Sequence, residues 1–203
     1  KNRKMKNKIN IAIFGSGNGS NAQHISEYFA NNNKVKISTF VANKKDAYII
    51  ERAKKLGIPC RIFNRNDFYY TNNVVDYLKE MEIDIIVLAG FLWLIPENIL
   101  QAYPQRIINI HPALLPLYGG KGMYGMNVHQ AVIDNKEVES GITIHFVNDK
   151  YDEGTTIFQA KCNITPKDTA ETLAQKIHLL EYEHFPKTIE NVINNILYNN
   201  KDK

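Results

Sequence analysis

The fold is indicated by a short apolar run that passes directly into a glycine-rich loop, Ile9-Asn10-Ile11-Ala12-Ile13-Phe14-Gly15-Ser16-Gly17-Asn18-Gly19-Ser20-Asn21. An apolar run of this kind that ends in glycine is typical of a buried strand in a parallel sheet. A helix is predicted to follow over residues 21–30, with Ile25, Tyr28 and Phe29 on one face. The chain therefore opens with the strand, loop and helix from which α/β proteins are built.

The same alternation continues through the first half of the chain. The pattern predicts strands over residues 35–42, 60–63, 85–89 and 107–110, and helices over residues 47–56 and 71–81. Strands that alternate with helices favour a parallel sheet with right-handed crossovers. We therefore expect a doubly wound α/β fold whose N-terminal half is Rossmann-like.

The composition changes after residue 111. A loop rich in proline and glycine follows, with Pro112, Pro116, Gly119, Gly120, Gly122 and Gly125. Beyond it the pattern predicts a helix over 126–134, two strands over 141–147 and 156–161, and a helix over 169–195 that Pro186 kinks or interrupts. The two strands are expected to form an antiparallel C-terminal addition to a mostly parallel sheet.

The composition excludes several classes of protein. The 203 residues carry 25 Lys and Arg against 21 Asp and Glu, and the resulting charge of +4 is too small to indicate binding to nucleic acid. Two cysteines, Cys60 and Cys162, cannot build a disulfide scaffold or a four-ligand zinc site. No apolar run approaches the roughly 20 residues of a membrane span, and no signal peptide is expected. We expect a soluble, cytoplasmic protein, with Met5 as a candidate natural start.

The loop over residues 15–21 is a candidate anion site. Glycines allow the backbone to approach a ligand closely, and free amides at the start of a helix favour an anion. A dinucleotide fingerprint does not fit, because Ser20 stands where the third glycine would be and no acidic residue follows the second strand. We interpret the loop as a site for one phosphate. A capping box of Ser20 and Gln23 is a compatible alternative that needs no ligand.

A second candidate site lies at Asn109-Ile110-His111-Pro112, where a hydrophobic strand ends. Side chains alternate along a strand, so Asn109 and His111 face the same side. An amide can donate to a developing oxyanion, and an imidazole can exchange a proton near neutral pH. The alternative is a histidine that only finds hydrogen-bond partners at a strand end.

The polar turn after His145-Phe146-Val147 supplies candidate carboxylates for this site. An acid that folds back against His111 would favour the imidazolium and raise the pKa of His111. The residues alone leave open which acid does so, or whether all of these acids are solvated surface groups.

Four motifs together resemble one known family. They are Ser16-Gly17-Asn18-Gly19-Ser20-Asn21, Leu88-Ala89-Gly90-Phe91, Asn109-Ile110-His111-Pro112-Ala113-Leu114-Leu115-Pro116 and His145-Phe146-Val147, in the order and spacing of the phosphoribosylglycinamide formyltransferases. The resemblance covers residues 9–186. It implies one formyltransferase domain over residues 1–203, with a phosphate-binding half at 8–105 and a catalytic and folate-binding half at 106–198.

The resemblance also implies roles for particular residues. The catalytic trio would be Asn109, His111 and Asp152. The residues that would hold the ribonucleotide substrate are Gly19, Ser20, Asn21 and Glu181. The residues that would contact folate are Leu92, Trp93, Leu94, Ile95, Asn109, Asn148, Asp149 and Asp152. Thr143 would place a hydroxyl near the aspartate, and no metal is implied.

The implied reaction moves a formyl group from the co-substrate 10-formyltetrahydrofolate to the amine of 5-phosphoribosylglycinamide (GAR), a step of purine biosynthesis. Asn109 and protonated His111 would stabilise the oxyanion, and Asp152 would keep His111 charged and help to move the proton. The partners would be small molecules, with no nucleic acid and no membrane, and the protein would be a monomer or a homodimer.

The chain departs from the family near the expected ligands. Leu117 replaces a common lysine, and the segment 119–125 replaces the more usual loop. Thr71 stands where some members have an arginine that faces the folate, and Trp93 lies at a variable position. We expect these differences to affect folate-tail binding and loop closure rather than the chemistry.

Three other functions fit parts of the pattern. Another formyltetrahydrofolate-dependent enzyme, such as a deformylase, would need a hydrolytic water in place of the amine, and a methionyl-tRNA formyltransferase would be longer. A nucleotide- or NAD-binding protein would need the missing glycine and acid. A non-catalytic folate or phosphate binder would not need the trio.

Overall fold

The computed structural model describes residues 8–199, so Met5 and the other residues at 1–7 and 200–203 lie outside the described residues. Within that range the strands are β1 (Ile9–Gly15), β2 (Val35–Ala42), β3 (Cys60–Ile62), β4 (Ile85–Leu88), β5 (Ile107–His111), β6 (Glu139–Phe146) and β7 (Thr156–Asn163). They form one sheet in the order β3-β2-β1-β4-β5-β6-β7.

The sheet is mixed, and the change of direction occurs at β6. β1 runs parallel to both β2 and β4, and β4 runs parallel to β5. β6 is antiparallel to β5, and β7 is antiparallel to β6. The predicted doubly wound, mostly parallel sheet with an antiparallel C-terminal addition is therefore confirmed. The division of one domain into halves near residue 105 stays a prediction.

The strand order determines where a ligand can bind. After β3 the chain crosses to the other side of β1 to form β4. The loops that follow β1 and β4 therefore leave in different directions, and a crevice opens at the carboxyl ends of these strands. Both candidate segments of the sequence, the glycine-rich loop and the end of β5, lie on this edge of the sheet.

Helices cover both faces of the sheet: α1 (Ser20–Tyr28), α2 (Ile49–Leu56), α3 (Arg65–Tyr70), α4 (Asn73–Glu80), α5 (Glu97–Ala102), α6 (Met126–Asp134) and α7 (Ala170–Asn199). The sequence pattern misses α3 and α5. Each has 6 residues, which are too few to show a helical period.

The core divides into two layers because β1 is buried on both faces. Ile11 and Ile13 belong to the layer that contains buried residues of α1, α2, α6 and α7. Ala12 and Phe14 belong to the layer that contains those of α3, α4 and α5. The continuous apolar run of β1 thus follows from packing on both sides.

Two predictions about helices are wrong. Tyr28 does not share the buried face of α1 with Ile25 and Phe29, because it is 42% exposed and its hydroxyl donates to Glu190 at the surface. Of the two outcomes expected at Pro186, the interruption is wrong, since α7 runs through it as one helix, and the kink stays a prediction. The neighbouring Phe185 and Ile189 are fully buried, and this packing offsets the backbone hydrogen bond that proline cannot make.

Candidate active site

The glycine-rich loop after β1 is attached to the loop after β4. The amide of Ser16 donates to the carbonyl oxygen of Gly90 over 3.0 Å. The hydroxyl of Ser16, which is buried, accepts from the amide of Leu92 over 2.9 Å. The predicted phosphate loop and the predicted folate-binding segment are therefore held together at one edge of the sheet.

Gly19 is the residue at which the loop turns into α1. Its φ of 75° lies in the left-handed region. A Cβ at this position would lie 2.7 Å from Cβ and 2.8 Å from Cα of Ile49, on the neighbouring helix. Glycine is required here for both reasons. Gly17 differs, because a Cβ there would meet no atom within 4 Å.

The predicted capping box of Ser20 and Gln23 is wrong. Gly19 is the N-cap residue, and no side chain makes a cap hydrogen bond at this end of α1. Because Gly19 occupies the cap position in a left-handed conformation, Ser20 is already the first residue of the helix. The side-chain oxygen of Gln23 instead accepts a hydrogen bond from Arg52.

The start of α1 leaves backbone donors unused. Among the described residues, the amide N–H groups of Gly19, Ser20 and Asn21 donate to no backbone carbonyl. Unpaired N–H groups at the start of a helix attract anions, phosphate above all. This arrangement favours a phosphate site over a loop that only makes a tight turn into α1.

Glu181 on α7 lies next to this loop, although it is 160 positions away from Asn21 in sequence. The side-chain amide of Asn21 donates to Oε2 of Glu181 over 2.9 Å. Nδ1 of His178 lies 3.0 Å from the same oxygen, and this contact raises the pKa of His178. Glu181 is only 5% exposed, so a carboxylate is held in a buried place beside the predicted phosphate site.

The predicted trio converges at the end of β5. Asn109 and His111 point to the same side of the strand, as the alternation predicts. The Asp152 side chain comes from the loop after β6, and its Oδ2 lies 3.5 Å from Nδ1 of His111. The polar turn therefore contributes Asp152 to the site, whereas the neighbouring Glu153 is exposed and pairs with Lys150 over 3.1 Å.

His145 is a member of the site to which the sequence analysis gave no role. It is paired with Asn109 in the register of β5 and β6. Its Nε2 lies 3.0 Å from Nδ2 of Asn109 and 3.7 Å from Oδ1 of Asp152. Side-chain alternation along the strand over residues 141–147 is the signal that could have found it, given the strand pairing.

The tautomer of His145 follows from its contacts. Its Nδ1 lies 2.8 Å from the carbonyl oxygen of Phe146, which only accepts, so Nδ1 carries the hydrogen. In the neutral ring Nε2 then accepts from the amide nitrogen of Asn109. One hydrogen of the Asn109 amide is used in this contact, and the other remains available to a ligand.

His111 is buried between two acceptors. Its Nε2 donates to the carbonyl oxygen of Tyr118 over 2.7 Å, and its Nδ1 faces Asp152. Burial nevertheless lowers the pKa of His111, while Asp152 and the Tyr118 carbonyl oppose this effect without overcoming it. The acid therefore raises the pKa of His111 as expected, but burial outweighs it and the net shift is downward. The sequence could not show that the side chain is only 3% exposed.

Asp152 keeps its charge in this setting. Burial by itself raises the pKa of Asp152, but the contacts with His145 and His111 and the amide of Gly120 outweigh it, so that the pKa lies below its ordinary value. The Gly120 amide donates to Oδ2 over 3.0 Å. The loop over residues 117–122 therefore contacts both members of the pair, through the Tyr118 carbonyl and the Gly120 amide.

The hydroxyl of Thr143, which the resemblance puts near Asp152, makes its hydrogen bonds to other residues. Its hydroxyl donates to the carbonyl oxygen of Ala113 over 2.7 Å and accepts from the amide of Leu115 over 3.0 Å. The side chain of Gln159 also donates to it, over 2.8 Å. Thr143 is thus bonded to the backbone that follows His111 rather than to the aspartate.

The predicted folate-binding segment, 92–95, lies against an aromatic cluster. Trp93 packs edge-on against Phe68, and the hydroxyl of Tyr69 donates to the carbonyl oxygen of Leu94 over 3.1 Å. Ile95 is buried in the core layer that contains the buried residues of α3, α4 and α5. Burial raises the pKa of Tyr69, and Tyr151 adds to this effect.

The structure shows how one departure from the family pattern is accommodated. Thr71 uses its hydroxyl within the chain, donating to the carbonyl oxygen of Asp67 and accepting from the amide of Asn73. A cation lies against the aromatic cluster instead. The guanidinium of Arg65 lies 5.1 Å from the ring centre of Tyr69 and 5.9 Å from that of Trp93.

His129 on α6 is a further buried histidine near the site. It is 3% exposed, and its Nδ1 has no hydrogen-bond partner within residues 8–199. Burial lowers the pKa of His129, with Glu181 opposing and His178 and His111 adding to the effect. An unpartnered nitrogen this deeply buried is uncommon and is typical of functional sites.

In the part of the chain that the structure describes, no group of three or more His, Cys, Asp and Glu side chains is arranged to hold a metal ion. No helix within that part is long and apolar enough to span a membrane.

Replacing Asp152 with Asn should lower the pKa of His111 further, because the Asp152 charge is the main influence that opposes burial. The measurement is the NMR titration of the His111 ring, followed through its Cε1–H signal. Glu153→Gln is the matched control, because it removes the adjacent but exposed carboxylate. An unchanged titration in Asp152→Asn, or an equal change in both variants, would contradict the coupling.

Residues 9–189 match the model of the formyl transferase family. The chain is 42% identical over 180 residues to the chloroplastic phosphoribosylglycinamide formyltransferase of Arabidopsis thaliana, covering 86% of this chain but 61% of that protein. It is 36% identical over 187 residues to the phosphoribosylglycinamide formyltransferase of Haemophilus influenzae, covering 89% of this chain and 85% of that protein.

The chain is also similar to a solved structure. The phosphoribosylglycinamide formyltransferase of Anaplasma phagocytophilum superposes with a TM-score of 0.83 at 29% identity, over 93% of this chain and 88% of that one. The likeness therefore includes the path of the backbone as well as the motifs.

Proposed function

The chain belongs to the formyl transferase family, and we propose that it transfers the formyl group of 10-formyltetrahydrofolate to the amine of GAR, giving formyl-GAR and tetrahydrofolate. Relatives that match over most of their length, from Haemophilus influenzae and Bacillus subtilis, carry the name phosphoribosylglycinamide formyltransferase. In this proposal the protein acts in purine biosynthesis on small-molecule substrates.

One juxtaposition carries the proposal. Glu181 accepts a hydrogen bond from Asn21 at the phosphate loop, and β1 and β5, which lead to that loop and to His111, are parallel with only β4 between them and end at the same edge of the sheet. The phosphate loop and the His111–Asp152 pair therefore open onto one region. A phosphorylated sugar that carries an amine could bind the loop at one end and reach the pair at the other.

The substrate end is assigned to four residues. The amides of Gly19, Ser20 and Asn21 would bind the phosphate, because an anion satisfies N–H groups that donate to no backbone carbonyl. Glu181 would accept hydrogen bonds from the ribose hydroxyls. Its position, fixed by Asn21 and His178, leaves its remaining lone pairs for this purpose.

The chemistry is assigned to the trio. The neutral amine of GAR attacks the formyl carbon, a tetrahedral intermediate forms, and the bond to the folate nitrogen then breaks. The free hydrogen of the Asn109 amide and the Nε2–H of His111 would donate to the oxyanion. In the free protein that Nε2–H is donated to Tyr118, so the oxyanion would take the place of the carbonyl.

A proton must also move from the attacking amine to the leaving folate nitrogen. Asp152 is charged and lies between His111 and His145, so it would accept the proton through a water and return it to the leaving group. Because burial keeps the pKa of His111 low in the free protein, the proton that charges it as the oxyanion develops would be the one released by the attacking amine, taken up at Nδ1 by way of Asp152 and returned by the same path to the leaving nitrogen. The charge of Asp152 favours the protonated form of His111.

The folate end is assigned to the segment 92–95 and the loop after β6. The residues in this set are Leu92, Trp93, Leu94, Ile95, Asn109, Asn148, Asp149 and Asp152. The aromatic cluster at Trp93 offers a flat apolar wall for the co-substrate. The cytoplasmic location, and the choice between monomer and homodimer, stay predictions.

The first test is a transfer assay with purified protein. Folate release is followed by absorbance with 10-formyltetrahydrofolate and GAR, against the same mixture without GAR. We expect turnover that depends on GAR. Equal release in both mixtures would indicate hydrolysis, and no release in either would contradict a formyl-transfer activity.

His111→Ala and Asp152→Asn should each lower kcat by on the order of a hundredfold or more, since each removes a group that acts on the developing charge. The measurement is steady-state kinetics, with thermal unfolding to verify that the variants fold. Glu153→Gln should retain wild-type kcat because its carboxylate is exposed. Near-normal rates in either site variant would refute the assigned roles.

Gly19→Ala should raise the KM for GAR by about tenfold or more, because the added methyl group meets the backbone of Ile49 and the left-handed φ strains alanine. The KM for folate should change little. Gly17→Ala adds the same methyl group two residues away, where there is open space. Equal increases in both KM values, or in both variants, would count against a dedicated phosphate loop.

A further inference from the structure

Arg52 on α2 is bonded to the phosphate loop. Its Nε donates to the carbonyl oxygen of Asn18 over 2.7 Å, and its Nη2 donates to Oδ1 of the same residue over 2.7 Å. Its Nη1 donates to Oε1 of Gln23 in the first turn of α1. The guanidinium of Arg52 thus connects the phosphate loop, at Asn18, to the first turn of α1, at Gln23.

The same helix supports the loop at two further points. The amide of Ile49 donates to the carbonyl oxygen of Gly17 over 3.0 Å. The side chain of Ile49 packs against Gly19 with no room for a Cβ. α2 therefore contacts three successive residues of the loop, and Arg52 makes the charged contact among them.

The electrostatics of the contact favour an anion. The oxygens of Asn18 carry partial negative charge and would repel a phosphate that approaches the neighbouring amides. Arg52 binds both of these oxygens, so it directs them toward α2 and adds a positive charge behind the loop. Within residues 8–199, no carboxylate lies within ion-pair distance of Arg52 to cancel this charge.

We propose that Arg52 is a positioning residue for substrate binding: it holds Asn18 so that the loop presents its amides to the phosphate of the ribonucleotide. The proposal rests on the function proposed above. Arg52 does not act in the chemistry, which takes place at Asn109, His111 and Asp152. Its contribution belongs to the binding of one substrate and not of the other.

Lys55 provides a matched control on the same helix. Both cations lie over the ring of Tyr48, the guanidinium at 5.0 Å and Lys55 Nζ at 5.6 Å from its centre. Lys55 donates to the Tyr48 hydroxyl and makes no hydrogen bond to the loop. Arg52→Met and Lys55→Met therefore remove the same charge from neighbouring turns, and the first alone removes contacts to the loop.

The experiment compares kcat and both KM values in the wild type, Arg52→Met, Arg52→Lys and Lys55→Met. Arg52→Met should raise the KM for GAR by about tenfold or more, as expected for the loss of charge-assisted hydrogen bonds. Its kcat and its KM for folate should stay within about twofold of wild type. Arg52→Lys should recover part of the loss, because it restores the charge but not the planar fork. Lys55→Met should match the wild type.

Two results would overturn the proposal. One is an equal KM for GAR in Arg52→Met and Lys55→Met. The other is a parallel loss of kcat and of both affinities in Arg52→Met, which would indicate a general structural role.

Failure of the proposed function is detected separately, as the absence of GAR-dependent turnover in the wild type. Inorganic phosphate is then the probe, read as the increase in thermal unfolding temperature that it causes. The proposal stands if phosphate stabilises the wild type and Lys55→Met more than Arg52→Met. It is overturned if phosphate stabilises all three equally or has no effect on the wild type.

Discussion

The antiparallel pairing of β6 with β5 is the constraint on which the candidate active site depends. In this register Asn109 lies opposite His145, and His111 lies opposite Thr143. One pairing therefore sets an amide beside an imidazole that accepts from it, and it ties the backbone after His111 to a buried hydroxyl. The loop that leaves β6 then returns Asp152 to both histidines. A shift of β6 by one residue would turn His145 and Thr143 to the opposite face of the sheet, away from Asn109 and His111.

Burial and pairing act against each other at this centre, and the balance sets the protonation states. The Asp152 carboxylate has enough donors around it to stay charged although it is buried. His111 has acceptors on both nitrogens, yet burial prevails and the pKa of its ring is low. A neutral histidine beside a negatively charged group is a state that a further negative charge can shift, since that charge also favours the imidazolium and opposes the cost of burying it. The site is thus arranged to respond to charge that develops during a reaction.

Much of the fold could be predicted from local patterns, and the parts that could not are those that depend on distant contacts. Apolar runs that end at glycine or proline predicted the strands, including the antiparallel pair β6 and β7. The alternation along β5 put Asn109 and His111 together, and the family resemblance pointed to Asp152 and Glu181. The contacts of Arg52 with Asn18, 34 positions away, have no local signal. The same holds for the tautomer of His145, which needs the strand register and a backbone carbonyl, and for the pKa of His111, which needs the burial of the finished fold.

The hydrogen bond from His111 to the Tyr118 carbonyl has a consequence for inhibitor design. A compound that seeks the Nε2–H of His111 competes with an acceptor that the protein already supplies at 2.7 Å. The net gain from such an interaction is small unless the compound also satisfies the displaced carbonyl. A compound with an acceptor for the Nε2–H of His111 and a donor for the Tyr118 carbonyl would replace the one hydrogen bond between these residues with two hydrogen bonds to the compound.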